Sequence, residues 1–293
     1  MINNILVTGG THGNELTGIT VVQQWNKIKA HLNLTSPLLD ISSIMINHAA
    51  IEKRTRYVEQ DLNRQFSSDK LAQIAAADPN KLCEEETLAL ELNKRFGPKS
   101  SPIIDLVIDF HNTTANLGPC LIILTTDDFE IGLARYVKKV MPEAVILLEN
   151  EKTYEQFPYL CTLGKHGVMI ELGSQSHGVN DPTIFASGLK MLKAITSYCD
   201  LYNQGNLPEL TPIESFHLTG DVKYPTEKHG ALMIHPNLFG HDFNELKPGA
   251  PCFITIDGES IKWERDVTFP HFIGEVAYQH LGLAFSTADK IML

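Results

Sequence analysis

The sequence contains no apolar run long enough to cross a bilayer, and no basic stretch followed by a long apolar one near its start. Neither a membrane span nor a secretory or transit leader is therefore expected. Basic residues are the scarcer charge: 24 Lys and Arg stand against 35 Asp and Glu, giving a formal net charge of -11. A chain this acidic is expected to repel nucleic acid. Any anionic small molecule it binds must meet a local patch of positive charge. Cysteine is limited to Cys83, Cys120, Cys161, Cys199 and Cys252, an odd, scattered set without a CxxC pair. That argues against a disulfide framework or a cysteine-held metal cluster and points to a reducing, cytoplasmic setting. No GxGxxG follows the first strand, which argues against a dinucleotide.

What is present is an ordinary soluble composition, 43% hydrophobic and 20% charged over 293 residues, enough for a large domain and a smaller one. Ile5-Leu6-Val7 suits a buried strand, and Thr17 to Lys29, with apolar Ile19, Val22 and Ile28, suits a helix. Between them lies Gly9-Gly10-Thr11-His12-Gly13-Asn14-Glu15. Such a strand-to-helix turn is where open α/β sheets bind ligands, and its glycines leave room for one. It could cradle a phosphate. It also sets an imidazole and a carboxylate three residues apart, half of a zinc site, so a third ligand is expected from elsewhere.

His111, in Ile108-Asp109-Phe110-His111-Asn112-Thr113-Thr114, is that candidate. It ends a second apolar strand, Ile103 to Phe110, and Asp109 shares its face, placed to accept a hydrogen bond from the ring. The local positive charge is supplied by Lys53, Arg54, Arg56 and Arg64, within residues 51–64. Guanidinium groups there would make bidentate bonds to a carboxylate or polarise a carbonyl. In Gly167-Val168-Met169-Ile170-Glu171-Leu172-Gly173 a carboxylate interrupts an apolar strand. Burying it unpaired is costly, so Glu171 is read either as an edge residue in solvent or as a general base or acid.

Further strands are expected at Ser42 to Asn47, Cys120 to Leu124 and Ala144 to Leu148, and helices at Ala72 to Phe96, Phe129 to Val140 and Ile184 to Tyr202. Alternation of this kind gives an α/β sheet with helices on both faces. Residues 203–208 read as a linker, placing a domain boundary near Gly205. Short strands and turns follow: Glu214 to Tyr224, Ala231 to His235, Cys252 to Ile256, the Asp257-Gly258 turn and Ser260 to Glu264. Residues 206–293 are accordingly expected to form a smaller β-rich domain. His229, His235, His241 and His271 carry no ligand role and are expected to be exposed and solvated or structural.

Taken together, Thr8 to Glu15, Thr55-Arg56-Tyr57, Asp61-Leu62-Asn63-Arg64, Asp109 to Thr114, Ile170 to Gly173, Ile234 to Leu238 and Glu275-Val276-Ala277-Tyr278 resemble, in order, the aspartoacylase branch of the zinc-carboxypeptidase-like superfamily. The resemblance implies a zinc-carboxypeptidase-like α/β domain over residues 1–205, a mixed sheet flanked by helices, with residues 206–293 narrowing the entrance. It implies His12, Glu15 and His111 as ligands of one zinc ion, Arg56 as the carbonyl-polarising residue and Glu171 as the base. Asn63, Arg64, Asn112 and Tyr278, with Arg56 and Glu171, would contact the substrate. The activity implied is hydrolysis of the acyl amide of N-acyl amino acids, foremost N-acetyl-L-aspartate. The alternatives are a deacylase of aromatic or neutral N-acyl amino acids and a non-catalytic zinc or small-ligand binding protein. Two departures concern the second carboxylate of aspartate. No arginine occurs in Tyr159 to His166, where the acetylaspartate enzymes place one, leaving Lys165 or His166 as substitutes, and Leu281 stands where their lysine is expected. Assembly into a homodimer or higher oligomer is also expected.

Overall fold

The computed structural model describes the backbone of residues 1–293 and all side chains except those of residues 228 and 229. The first half of the chain runs β1 (Asn4–Gly9), α1 (Leu16–Gln23), α2 (Trp25–His31), β2 (Asp40–Met45), α3 (His48–Lys53), α4 (Ser68–Ala75), α5 (Glu84–Phe96), β3 (Leu106–Asn112) and β4 (Gly118–Ile123). It continues through α6 (Asp128–Val140), β5 (Val145–Leu148), β6 (His166–Gly173) and α7 (Pro182–Gln204). The remainder is mostly strand: β7 (Glu214–Lys223), the short α8 (Thr226–His229), β8 (Leu232–Ile234), β9 (Pro251–Thr255), β10 (Ser260–Lys262) and β11 (Leu283–Met292).

Eight strands form one mixed sheet in the order β11-β7-β5-β4-β6-β3-β1-β2. The pairs around the first strand are parallel, as are β3 with β6, β4 with β5 and β5 with β7, whereas β4 runs against β6 and β11 against β7. Successive side chains point to opposite faces, and both faces are covered, which explains why the inner strands are largely apolar. Ile5 and Val7 of β1, with Leu106, Ile108 and Phe110 of β3, pack on one side among residues of α6 and α7. Leu6 and Val107 point the other way, toward Leu71, Ile74, Leu92 and Phe96 of α4 and α5. Among the described residues no helix is long and apolar enough to cross a membrane.

Three expectations about elements change. The helix expected at 72–96 is two helices, because Pro79 cannot continue a helix and the chain restarts at Glu84, whose first turn is rich in glutamate. The helix expected over 17–29 breaks at Gln24 between α1 and α2. The strand expected at Glu214 to Tyr224 does not stay with the small sheet. It pairs with β5 and β11, so the C-terminal segment extends the large sheet, and only β8, β9 and β10 make a separate three-stranded one. A third apolar cluster, including Ile234, Phe253, Trp263 and Phe285, packs between them. Of the stretch read as a linker only Asn203 and Gln204 are helical: α7 stops at Gly205, which takes the left-handed φ of 66° that glycine allows without strain, and residues 206–208 belong to no helix or strand. His271 is fully buried rather than exposed, its ring stacked on Phe243 at 5.2 Å between centroids. The side chain of His229 lies outside the described residues.

Candidate active site

The site lies at the carboxyl ends of β1, β3 and β6. Gly10 follows β1 with φ 76°, and a Cβ on Gly13 would lie 2.1 Å from the carbonyl carbon of Ala50 in α3. Glycine at these two positions lets the turn press against α3, and the Gly13 N–H donates to the Arg56 carbonyl at 3.2 Å. That contact brings the arginine segment beside His12. Across the sheet, Thr8 of β1 is in register with Asp109 of β3, and His111 of β3 is in register with Glu171 of β6. In-register residues of parallel neighbours share a face about 4.8 Å apart. Sequence-distant side chains thus meet.

His12, Glu15 and His111 are 2 to 3% exposed, and one donor atom from each lies within 4.8 Å of the others. His12 Nδ1 is 2.8 Å from Glu15 Oε1, His111 Nδ1 is 3.1 Å from Glu15 Oε2, and the two Nδ1 atoms are 3.2 Å apart. Ligands on one tetrahedral ion at about 2.0 to 2.1 Å would be spaced by about 3.3 to 3.4 Å, close to these separations. The outer nitrogens are held by carboxylates: Asp61 Oδ1 lies 3.0 Å from His12 Nε2, and Asp109 Oδ2 lies 2.8 Å from His111 Nε2. A carboxylate accepts, so each Nε2 donates to its outer carboxylate and each Nδ1 faces inward, its lone pair turned toward the others wherever it carries no proton. Asp109 is itself fixed, accepting from Thr8 Oγ1 at 2.6 Å and Thr11 Oγ1 at 2.9 Å.

Lone pairs of two imidazoles and a carboxylate converge on one point, which demands a positive charge there. Burial pushes the His111 imidazole down, but Asp109 and Glu15 override it and raise it well above its ordinary value. A proton would satisfy that demand, and so would a metal ion. The donor set, the spacing and the two outer carboxylates fit a metal, so this group can hold one.

The other expected residues gather around it. Arg56 Nη1 donates to Glu15 Oε1 at 3.0 Å, and its Nε and Nη2 donate to Asp61 Oδ2, each at 3.2 Å. Burial would raise the Asp61 carboxyl, yet His12, Arg56 and Arg64 hold it far below the usual carboxylate range. Arg64 donates to the Asn63 carbonyl at 2.9 Å, lies over the Tyr159 ring at 5.5 Å and forms no ion pair among the described residues. Asn63 Oδ1 accepts from Leu160 N at 2.8 Å. Asn112 accepts from Thr17 N and donates to the Leu172 carbonyl, so one amide N–H is left for a ligand. Glu171 is on an inner strand, not an edge; its carboxylate has no hydrogen-bond or ion-pair partner among the described residues and lines the same cavity. Tyr278 reaches that cavity because Glu275, three residues earlier, accepts from the N–H and hydroxyl of Thr114 at the end of β3.

Lys165 and His166 do not approach the site. They stand at the amino end of β6, His166 five residues before Glu171 and so about 16 Å away along the strand. Lys165 pairs with Asp105 at 2.7 Å, and His166 faces Asp127 and Glu130. Conversely, three residues with no role read for them in the sequence belong to the site: Asp61, Glu275 and Glu149. Asp61 was visible inside the Asp61-Leu62-Asn63-Arg64 block. Glu275 likewise stands inside the Glu275-Val276-Ala277-Tyr278 block, whereas nothing local marks Glu149, which the end of β5 brings to the site.

Fold and site together define a class: an α/β enzyme with a buried His/Glu/His group that can hold a metal at the strand ends and an unpaired carboxylate beside it. Residues 1–199 match the succinylglutamate desuccinylase/aspartoacylase catalytic domain, and residues 211–290 the AstE/AspA barrel-sandwich hybrid domain. Aspartoacylase of Mus musculus is 36% identical, the match covering 100% of this chain and 94% of the relative. The N-acyl-aromatic-L-amino acid amidohydrolase (carboxylate-forming) of Homo sapiens is 35% identical over 99% of this chain and 91% of its own. The crystal structure of murine aminoacylase 3 superposes with a TM-score of 0.91 at 31% identity, covering 100% of this chain and 96% of that one. The chain belongs to the succinylglutamate desuccinylase/aspartoacylase family, and it is an amidohydrolase.

One prediction concerns the outer carboxylates. Asp109→Ala removes the group that fixes the His111 ring, and metal affinity should fall about 10- to 100-fold with the fold intact. Metal retained after dialysis against a graded chelator measures it; unchanged retention would mean that Asp109 serves only the packing of β3 against β1.

Proposed function

We propose that this enzyme hydrolyses the acyl amide of N-acyl amino acids at a single zinc ion held by His12, Glu15 and His111. The observation that carries the reading is the register of His111 with Glu171 across β3 and β6, which sets an unpaired carboxylate beside the triad. Bound zinc supplies Lewis-acid polarisation and lowers the pKa of a coordinated water to about 7. Glu171 takes the proton of the attacking water and returns it to the departing amine. Arg56, anchored by Asp61 and Glu15 through three of its N–H groups, keeps two for the oxyanion that develops on the amide carbonyl oxygen as water adds to the carbon. Arg64 and Asn63 receive the α-carboxylate, and Tyr278 closes over it from the C-terminal segment, residues 206–293, which narrows the entrance. The substrate is a free small molecule. The five cysteines are unpaired, in keeping with a cytoplasmic enzyme. Assembly into a homo-oligomer is proposed as well, and sedimentation showing only single chains would reject it.

N-acetyl-L-aspartate is the first substrate to assay. A second reading, an uncharged or aromatic side chain, is favoured by the charges around the pocket. Its two arginines are Arg56, already paired with two carboxylates, and Arg64, needed for the α-carboxylate. Amine release from N-acetyl-L-aspartate and N-acetyl-L-phenylalanine, by protein of measured zinc content, tests both. Turnover of either supports the reaction, and turnover of neither by fully loaded protein rejects it.

A further inference from the structure

One buried carboxylate in the pocket has no part in the reaction just described. Glu149 follows β5 directly, its N–H donating to the Ile123 carbonyl at 2.9 Å; β5 runs against β6, with Leu148 level with Ile123 and Ile123 level with Val168, so Glu149 enters the pocket from the side away from Glu171. It is 6% exposed and lines the cavity that holds His111, Glu171 and Arg64. It also lines a neighbouring cavity of roughly 230 Å³, which shares Arg64, Tyr159, Phe272 and Tyr278 with the first. Oε2 accepts from the Tyr159 hydroxyl at 3.0 Å, and the carboxylate forms no ion pair among the described residues. Burial and the nearby Glu151 push its carboxyl up to about 7 despite the Tyr159 hydrogen bond and Arg64.

A group so placed is costly to desolvate and is fully satisfied only by a further donor. The two cavities add little positive charge to balance it. Beyond Arg64, the cation of the second cavity is Lys152, opposed there by Glu149, Glu151 and Asp221. Above about pH 7, where Glu149 is ionised, a substrate side chain that carried a carboxylate toward it would meet like charge in a poorly solvated space. One that carried an N–H or O–H would supply the missing donor.

Resting on the function proposed above, we propose that Glu149 is a specificity-determining residue, selecting N-acyl amino acids whose side chain donates a hydrogen bond and rejecting those whose side chain is a carboxylate. The amide side chain of an N-acylasparagine and the phenol of an N-acyltyrosine belong to the favoured class. N-acylaspartate belongs to the disfavoured one. Selection by a buried hydrogen-bonding group is strong because the wrong substrate leaves that group unpaired.

Two near-isosteric pairs test this: N-acetyl-L-asparagine against N-acetyl-L-aspartate, and N-acetyl-L-tyrosine against N-acetyl-L-phenylalanine. In the zinc-loaded parent, kcat/KM should favour the donor in each pair by about tenfold or more. Glu149→Gln, which removes the charge and adds an N–H, should bring the asparagine-to-aspartate ratio to within about threefold of unity, and Tyr159→Phe, which frees Oε2, should leave the parent's preference in place. A parent that prefers aspartate overturns the inference while leaving the hydrolytic reading intact. So does a Glu149→Gln variant that slows all four substrates equally, since a structural role would do that. Because the parent's ratios are measured without any substitution, a variant that fails to fold does not rescue the idea. No turnover of any of the four overturns the hydrolytic reading and the role of Glu149 with it.

Discussion

Glu171→Gln should lose about 10²- to 10⁴-fold in kcat while keeping its metal content and its fold. The amide matches the carboxylate in shape but cannot take the proton of the attacking water. Stability should change little, because Glu171 has no partner among the described residues whose loss would leave a buried group orphaned. Burial pushes the Glu171 carboxyl well above its ordinary value; His111 and Arg56 oppose that, while Glu15 and Glu275 reinforce it. A base must be ionised to act. The acid limb of kcat/KM should therefore rise with pH at values above the roughly 4.3 of an unperturbed glutamate. Stopped assays from pH 4 to 9 on parent and variant check both statements, and near-normal turnover in the glutamine variant would assign proton transfer to another group.

Arg56→Ala should cost about 10²- to 10³-fold in kcat, the equivalent of roughly 2.7 to 4 kcal/mol for one lost oxyanion donor. The substitution has a second consequence, which the hydrogen bonds make explicit. Arg56 also neutralises Glu15 and Asp61. Its removal leaves Asp61 beside the proton of His12 Nε2 and leaves Glu15 between the two imidazoles, so both keep a partner. Metal should remain stoichiometric. Loss of metal in parallel with loss of rate would recast Arg56 as a support of the triad. Arg56→Lys separates the cases, since a lysine restores charge beside Glu15 and Asp61 but not the fork of N–H groups.

The resemblance stated from the sequence already carried His12, Glu15, His111, Arg56 and Glu171, because each sits in a short segment whose neighbours reveal its setting. Glycines bracket His12, alternation puts Asp109 behind His111, and a charge inside an apolar strand exposes Glu171. Element boundaries were less legible. A single helix over 72–96 would run through Pro79, whose missing N–H divides it into α4 and α5. The β-rich character of the C-terminal segment was legible from its turns, but the strand at Glu214 carries no local mark of which sheet it will join. That is settled by the edge β5 offers it.

The lysine and histidine beside the missing arginine show the same division. In sequence they were candidates, and a strand of eight residues carries them to the far end of the sheet. By itself the sequence determined the chemistry available: which imidazoles, carboxylates and guanidinium groups exist, and which of them are fixed by a turn or a strand face. Only the tertiary structure decided which groups share a cavity. Asp61 behind His12, Glu275 under Tyr278 and Glu149 beside Arg64 are brought there by strand register and by the return of the chain across the sheet, relations between distant segments that no local pattern encodes.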